Sequence, residues 1–177
     1  MTVQVFNPIV ATLALAGLVL AIGIAAVPTV RARVAPHAVR LSLAVASVAT
    51  VGSLVYSEYF LFEPCRMCWY QRIAMYPLVP ILAVGLWRRD PNVRWYALPL
   101  AVAGLGTAVW HYLIQTIPAL SDSVACGLGV VCNAKYVNEF QALANGEFAF
   151  ISIPFMAGCG FLLIITLLIL AKPKEIT

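Results

Sequence analysis

Long stretches of this chain carry no charged side chain. Residues 1–30 have none, and neither do 41–57, 73–87, 95–121 and 148–171. An α-helix needs roughly 20 mostly apolar residues to cross the hydrocarbon core of a bilayer. Five such gaps in 177 residues therefore point to an all-α membrane protein with several spans. Composition agrees: hydrophobic residues make up 63% and charged residues 10%, against about 45–50% and about 25% in soluble domains. A water-soluble globule has too little interior to hide that much apolar surface. Nucleic-acid binding finds no support either, because the 11 Lys and Arg behind the net charge of +4 are scattered, not gathered into a basic patch.

The charges set the span limits. Spans are expected at 9–27, 41–62, 68–87, 95–117 and 148–171. The third must begin near Cys68, because the uncharged run Ile73–Trp87 covers only 15 residues, or about 22 Å of helix. That places Arg72 in its outer turns. Pro118 limits the fourth. Eight of the 11 basic residues (Arg31, Arg33, Arg40, Arg88, Arg89, Arg94, Lys172 and Lys174) fall on one side of this topology. The positive-inside rule makes that side cytoplasmic. The N-terminus and the 118–147 loop then face outward, and the C-terminus is cytoplasmic. No Lys or Arg precedes Ile9, so the first helix reads as a retained span and not as a cleaved signal peptide. Residues 138–147 are expected to form a short interfacial helix.

Four of the five cysteines fall on the outer side in this topology, where disulfides persist. Cys65 and Cys68 form a C-x-x-C at the mouth of the third span, and Cys126 and Cys132 form a C-x5-C in the outer loop. Loops this short give a disulfide little value as a staple, so both pairs read as reactive. A helix N-terminus and the neighbouring Arg66 and Arg72 favour thiolate at Cys65–Cys68. Cys65, Cys68, Arg72 and Tyr76 share one helical stripe, and a cationic C-x-x-C suits thiol–disulfide exchange. Two blander readings compete: plain structural disulfides, and a zinc site built from the four outer cysteines. The second is disfavoured because C-x5-C exceeds the usual zinc-ligand spacing, so no resident metal is expected. Cys159, alone in the last span, reads as a small apolar residue.

Polar residues inside a membrane need a reason. Arg72 and His111 lie at similar depth in the outer leaflet, with Trp69, Tyr70, Tyr76, Trp110 and Tyr112 nearby. Such a set can hold a planar, carbonyl-bearing, lipid-soluble molecule such as a quinone. It can equally be an interfacial aromatic belt with a snorkelling arginine, and spacing alone favours neither.

The run Cys65-Arg-Met-Cys68-Trp-Tyr-Gln-Arg72-Ile-Ala-Met-Tyr-Pro77 resembles the signature of the DsbB family of membrane thiol oxidases, in its BdbC-type branch. Tyr56-Ser-Glu58, His111-Tyr-Leu, Phe150-Ile-Ser-Ile-Pro154-Phe and the short Cys126–Cys132 pair agree with it. The likeness runs from about Arg40 to Leu170. It implies a four-helix redox core at 37–177, preceded at 1–36 by an additional transmembrane helix and its basic loop. It implies a protein-dithiol:quinone oxidoreductase of the bacterial cytoplasmic (inner) membrane, supporting disulfide formation in exported proteins. The partner it implies is a DsbA-like thioredoxin-fold thiol oxidase, and the acceptor it implies is ubiquinone or menaquinone. By position, Cys126 would form the mixed disulfide with the partner and Cys132 would be its mate. Cys68 would face the quinone, and Arg72 and His111 would attend it; Trp69 and Tyr76 are expected to line its site because they lie beside Arg72 in the sequence. Two departures are the added first helix and a longer stretch between Tyr136 and Phe150. Two rivals remain: a vitamin K epoxide reductase-like protein, whose redox motif usually lies in a later helix, and a non-catalytic assembly or metal-binding factor braced by disulfides.

Overall fold

The computed structural model describes residues 2–117, 119–120 and 151–171, and every regular element among them is helical. The elements are α1 (Val3–Ala26), α2 (Pro28–Val34), α3 (Ala38–Leu54), α4 (Arg66–Met75), α5 (Leu78–Trp87), α6 (Val93–Thr116) and α7 (Ile153–Leu170). A 3-10 turn at Ala35–His37 joins α2 to α3, and α3 runs on through a π-helical turn, Val55–Tyr59. The expected interfacial helix at 138–147 and the Cys126–Cys132 pair lie outside the described residues.

Among the described residues, four helical stretches are long and apolar enough to cross a bilayer: Val3–Ala26, Pro28–Tyr59, Val93–Thr116 and Ile153–Leu170. They overlap the expected first, second, fourth and fifth spans, with shifted ends. The basic stretch after the first span is not an open loop. It is the short α2, with Arg31 and Arg33 in its last turn. Arg31 donates to the carbonyls of Ala25 (2.8 Å) and Ile24 (3.4 Å), satisfying acceptors that a helix end leaves open.

The expected third span is not one helix. It is two ten-residue helices, α4 and α5, separated at Tyr76–Pro77. The cause is covalent: Pro77 and Pro80 have no backbone N–H to donate, and their rings crowd the preceding turn. The Tyr76 N–H still reaches the Arg72 carbonyl at 2.9 Å, and the ladder restarts with Ile81 N–H on the Pro77 carbonyl at 3.1 Å.

The bundle is organised around α7, which packs against α6, α1 and α3. Phe161, Ile164, Leu167 and Leu168 of α7 are fully buried. Close approach of α6 to α7 depends on Gly104, where a Cβ would lie 2.2 Å from the Phe161 ring. Gly85 does the same for the α5–α6 turn, where a Cβ would lie 2.3 Å from Val93. In that turn Asp90 accepts from the Tyr96 hydroxyl, which holds the Asp90 carboxyl below its usual range. At the opposite end of α1, Asn7 is buried and accepts a hydrogen bond from the Tyr56 hydroxyl at 2.9 Å. Phe6, Phe60 and Phe62 surround that pair.

Candidate redox site

The chain leaves the π turn through Leu61, whose φ of 55° lies in the left-handed region, and reaches the first turn of α4. Cys65 is the N-cap of that helix. Its backbone is extended, and its sulfur accepts from the Cys68 N–H at 3.4 Å, the position usually taken by a Ser or Asp oxygen. The same turn brings the two sulfurs to 3.1 Å. That is beyond the roughly 2.05 Å of a disulfide bond, so the two sulfurs stand in contact without a bond between them. Cys65 is buried against Ile114 of α6, while Cys68 is only partly covered. The pair is asymmetric: Cys65 is buried and Cys68 is half-buried beside it. The Cys65 thiol, ahead of the third span, is pushed up to about 12, first by its hydrogen bond with Cys68 and then by burial, while His111 pulls it the other way. With the two sulfurs unbonded, therefore, Cys65 holds its proton despite the helix N-terminus.

His111 is buried on α6, one turn before Ile114, and its Nε2 lies 3.6 Å from Cys65 Sγ. On the other side of the ring, Nδ1 lies 3.2 Å from Nε2 of the buried Gln71. With the amide N–H donating to Nδ1, the remaining ring proton sits on Nε2 and points at the Cys65 sulfur. His111 thus faces the buried thiol.

Arg72 follows Cys68 by one turn and points across to α3. Its Nε donates to Ser53 Oγ and its Nη2 to the Ser53 carbonyl, both at 3.0 Å. Ser53 Oγ also accepts from the Tyr76 hydroxyl at 3.3 Å. Arg72 and Tyr76, placed on one stripe by helical spacing, therefore meet at one serine. The guanidinium carbon stands 5.3 Å from the centroid of the Trp69 ring, within cation–π range. Trp69, Tyr70 and Ile73 are exposed on the face of α4 beside Cys68.

Two residues of this site are absent from the sequence reading. Gln71 is legible in principle, as a second polar residue beside Arg72 in an apolar context. Ser53 is not: it sits 19 residues from Arg72, and a serine in an apolar helix carries no signal of its own. Cys159 is buried in α7. Cys126 and Cys132 lie outside the described residues.

A chain whose described residues form only helices, four stretches of membrane-spanning length among them, with a thiol pair at the mouth of a short helix, belongs to the class of multi-pass membrane proteins that handle thiols. The particular family follows from comparison with known proteins: this chain belongs to the DsbB family, whose model, described as Disulfide bond formation protein DsbB, matches residues 36–171. It is 44% identical over 134 residues to Disulfide bond formation protein C of Bacillus subtilis (strain 168), covering 76% of this chain and 91% of that one. It is 42% identical over 137 residues to Probable disulfide formation protein C 2 of Bacillus anthracis, covering 77% and 91%. It is 45% identical over 120 residues to Probable disulfide formation protein C of Halalkalibacterium halodurans, covering 67% and 81%. No solved structure matches it. The chain is accordingly a multi-pass membrane oxidoreductase of disulfide formation. The family match begins after α1 and α2.

Proposed function

We propose that this protein reoxidises a DsbA-like thioredoxin-fold dithiol protein outside the cytoplasmic membrane and delivers the two electrons to a membrane quinone. In this reading α4 and α5 together make a fifth crossing, with the N-terminus outside and the C-terminus in the cytoplasm. The observation that carries the proposal is the open Cys65–Cys68 pair, with one sulfur buried beside His111 and the other near the surface one turn from Arg72.

The steps follow from thiol chemistry. A thiolate of the reduced partner attacks Cys126 of the Cys126–Cys132 disulfide and releases Cys132 as thiolate. The second partner thiol then displaces Cys126, which leaves the partner oxidised and the loop pair reduced. The loop pair repeats this exchange on Cys65–Cys68, so each transfer makes one S–S bond and breaks another. His111, its tautomer set by Gln71, donates through Nε2 to the Cys65 sulfur and steadies negative charge there.

The residues around Cys68 fit a quinone head group. Arg72 uses Nε and Nη2 on Ser53, and among the described residues Nη1 makes no hydrogen bond, which leaves N–H donors for a carbonyl oxygen. Exposed Trp69 offers a flat apolar wall. When bound, a quinone supplies an acceptor for two electrons and two protons. Cys68 is placed to give up its electron pair, and Arg72 to stabilise both the thiolate and negative charge on an acceptor oxygen. Tyr76 and Ser53 hold the guanidinium in place.

Quinone reduction by the purified protein, with a reduced thioredoxin-fold protein as donor, tests the proposal. Donor-dependent loss of quinone is expected, and Cys65→Ser and Cys68→Ser are expected to abolish it. Normal turnover by either variant sinks the route. Accumulation of the trapped donor on Cys132 in place of Cys126 reverses the order within the loop pair.

A further inference from the structure

The open thiol pair and His111 have a second chemical capacity. Cys65 Sγ, Cys68 Sγ and a His111 ring nitrogen all lie within 4.8 Å of one another. We infer that the reduced Cys65–Cys68 pair and His111 form a three-donor site for a divalent thiophilic cation of the zinc type.

Distances carry the inference first. A tetrahedral zinc-type ion has bonds of about 2.3 Å to sulfur and about 2.0–2.1 Å to nitrogen, so its ligand atoms stand about 3.5 Å (S to N) and about 3.8 Å (S to S) apart. Cys65 Sγ and His111 Nε2 are already 3.6 Å apart. The two sulfurs, at 3.1 Å, must part by well under 1 Å, a change within reach of a side-chain rotation at Cys68, the less buried of the two. Charge is the second support. Two thiolates, a neutral imidazole and a divalent ion sum to zero, so the complex carries no net charge to the edge of a bilayer, where an unpaired charge is costly. The third support is Gln71. A metal-bound Nε2 leaves the ring proton on Nδ1, which then needs an acceptor. A half-turn of the Gln71 amide, 3.2 Å away, presents its oxygen in place of its nitrogen.

Binding is proton exchange without electron transfer. Cys65 and Cys68 each lose a proton and form a metal–sulfur bond, and His111 contributes a lone pair. The site exists only while the pair is reduced, because closing the disulfide removes both thiolates. On the proposed function, which this consequence alone rests on, an ion so held arrests the enzyme between reduction of the pair and its reoxidation.

The test uses full-length protein carrying Cys126→Ser, Cys132→Ser and Cys159→Ser, reduced and purified in detergent, with Cd2+ as probe. Neither quinone nor partner is present, so failure of the proposed function does not affect the reading. One Cd2+ per chain is expected, with thiolate-to-cadmium ultraviolet absorption. His111→Ala is expected to weaken binding at least tenfold, and preformation of the Cys65–Cys68 disulfide to abolish it. His111→Gln serves where the alanine variant fails to fold. Equal affinity in this triple-serine protein and in its His111 variants overturns the three-donor site, as does undiminished binding by the disulfide form.

Discussion

Arg72 reaches back 19 residues to Ser53, and that pairing decides what its guanidinium can do. An arginine that merely snorkelled would spread its donors into the interface. Here two of its nitrogens are tied to one serine while the charge stays beside Trp69 and one turn from Cys68. Arg72→Ala is expected to raise the apparent KM for quinone by about tenfold, the size of losing a charged hydrogen bond of about 1.4 kcal/mol. Ser53→Ala keeps the charge and the carbonyl acceptor, so its rise is expected to be severalfold, about 1 kcal/mol. Steady-state kinetics against quinone concentration measures both, and unchanged quinone kinetics in both variants would reduce Arg72 to an anchor. The stripe Cys65–Cys68–Arg72–Tyr76 was legible in the sequence because it is local, fixed by the pitch of one helix. His111 was legible as a polar residue in a span. That it stands on Cys65, oriented by Gln71, was not, because the pairing depends on how α4 and α6 pack.

At the scale of elements, α6 and α7 approach closely because Gly104 leaves room for the Phe161 ring. Phe161 is fully buried, so it has nowhere to retreat. Gly104→Ala is expected to destabilise the bundle by about 1–3 kcal/mol, the usual cost of overpacking, read as a lower midpoint of thermal unfolding in detergent. Gly106, whose added Cβ would meet nothing within 4 Å, provides the control. Gly106→Ala is expected to be neutral or slightly stabilising, since alanine suits a helix better than glycine. Equal effects at the two positions would show that helix propensity, and not the Phe161 contact, governs the site. Four of the expected spans could be read from charge gaps alone, with ends shifted by 1 to 13 residues. The third could not, because hydrophobicity scales score prolines for polarity while the backbone responds to their missing N–H groups.

For the whole molecule, α1, which lies ahead of the family match, is a packed member of the bundle. It lies along α7 and is pinned near its start by the buried Asn7–Tyr56 hydrogen bond. Asn7→Leu preserves the bulk and removes the bond. It is expected to cost about 0.6–2 kcal/mol, the range for hydrogen bonds between membrane helices, again as a lower midpoint of unfolding. No change would mean that apolar packing alone seats α1. The proposed topology has its own check. A reporter active only outside the cytoplasm should work when fused ahead of α1 and stay silent when fused after α7, and the reverse pattern would invert the protein. The break at Pro77 bears on how such a chain is made. On the proposed topology, α4–α5 is the crossing with the weakest claim on the membrane, since neither half spans alone and Arg72 opposes entry. The acceptor that satisfies Arg72 belongs to α3, which leaves the ribosome earlier. During synthesis α3 must therefore still be at hand when α4 emerges, so that the two enter the lipid as a pair, and their order along the gene is part of what makes the protein insertable.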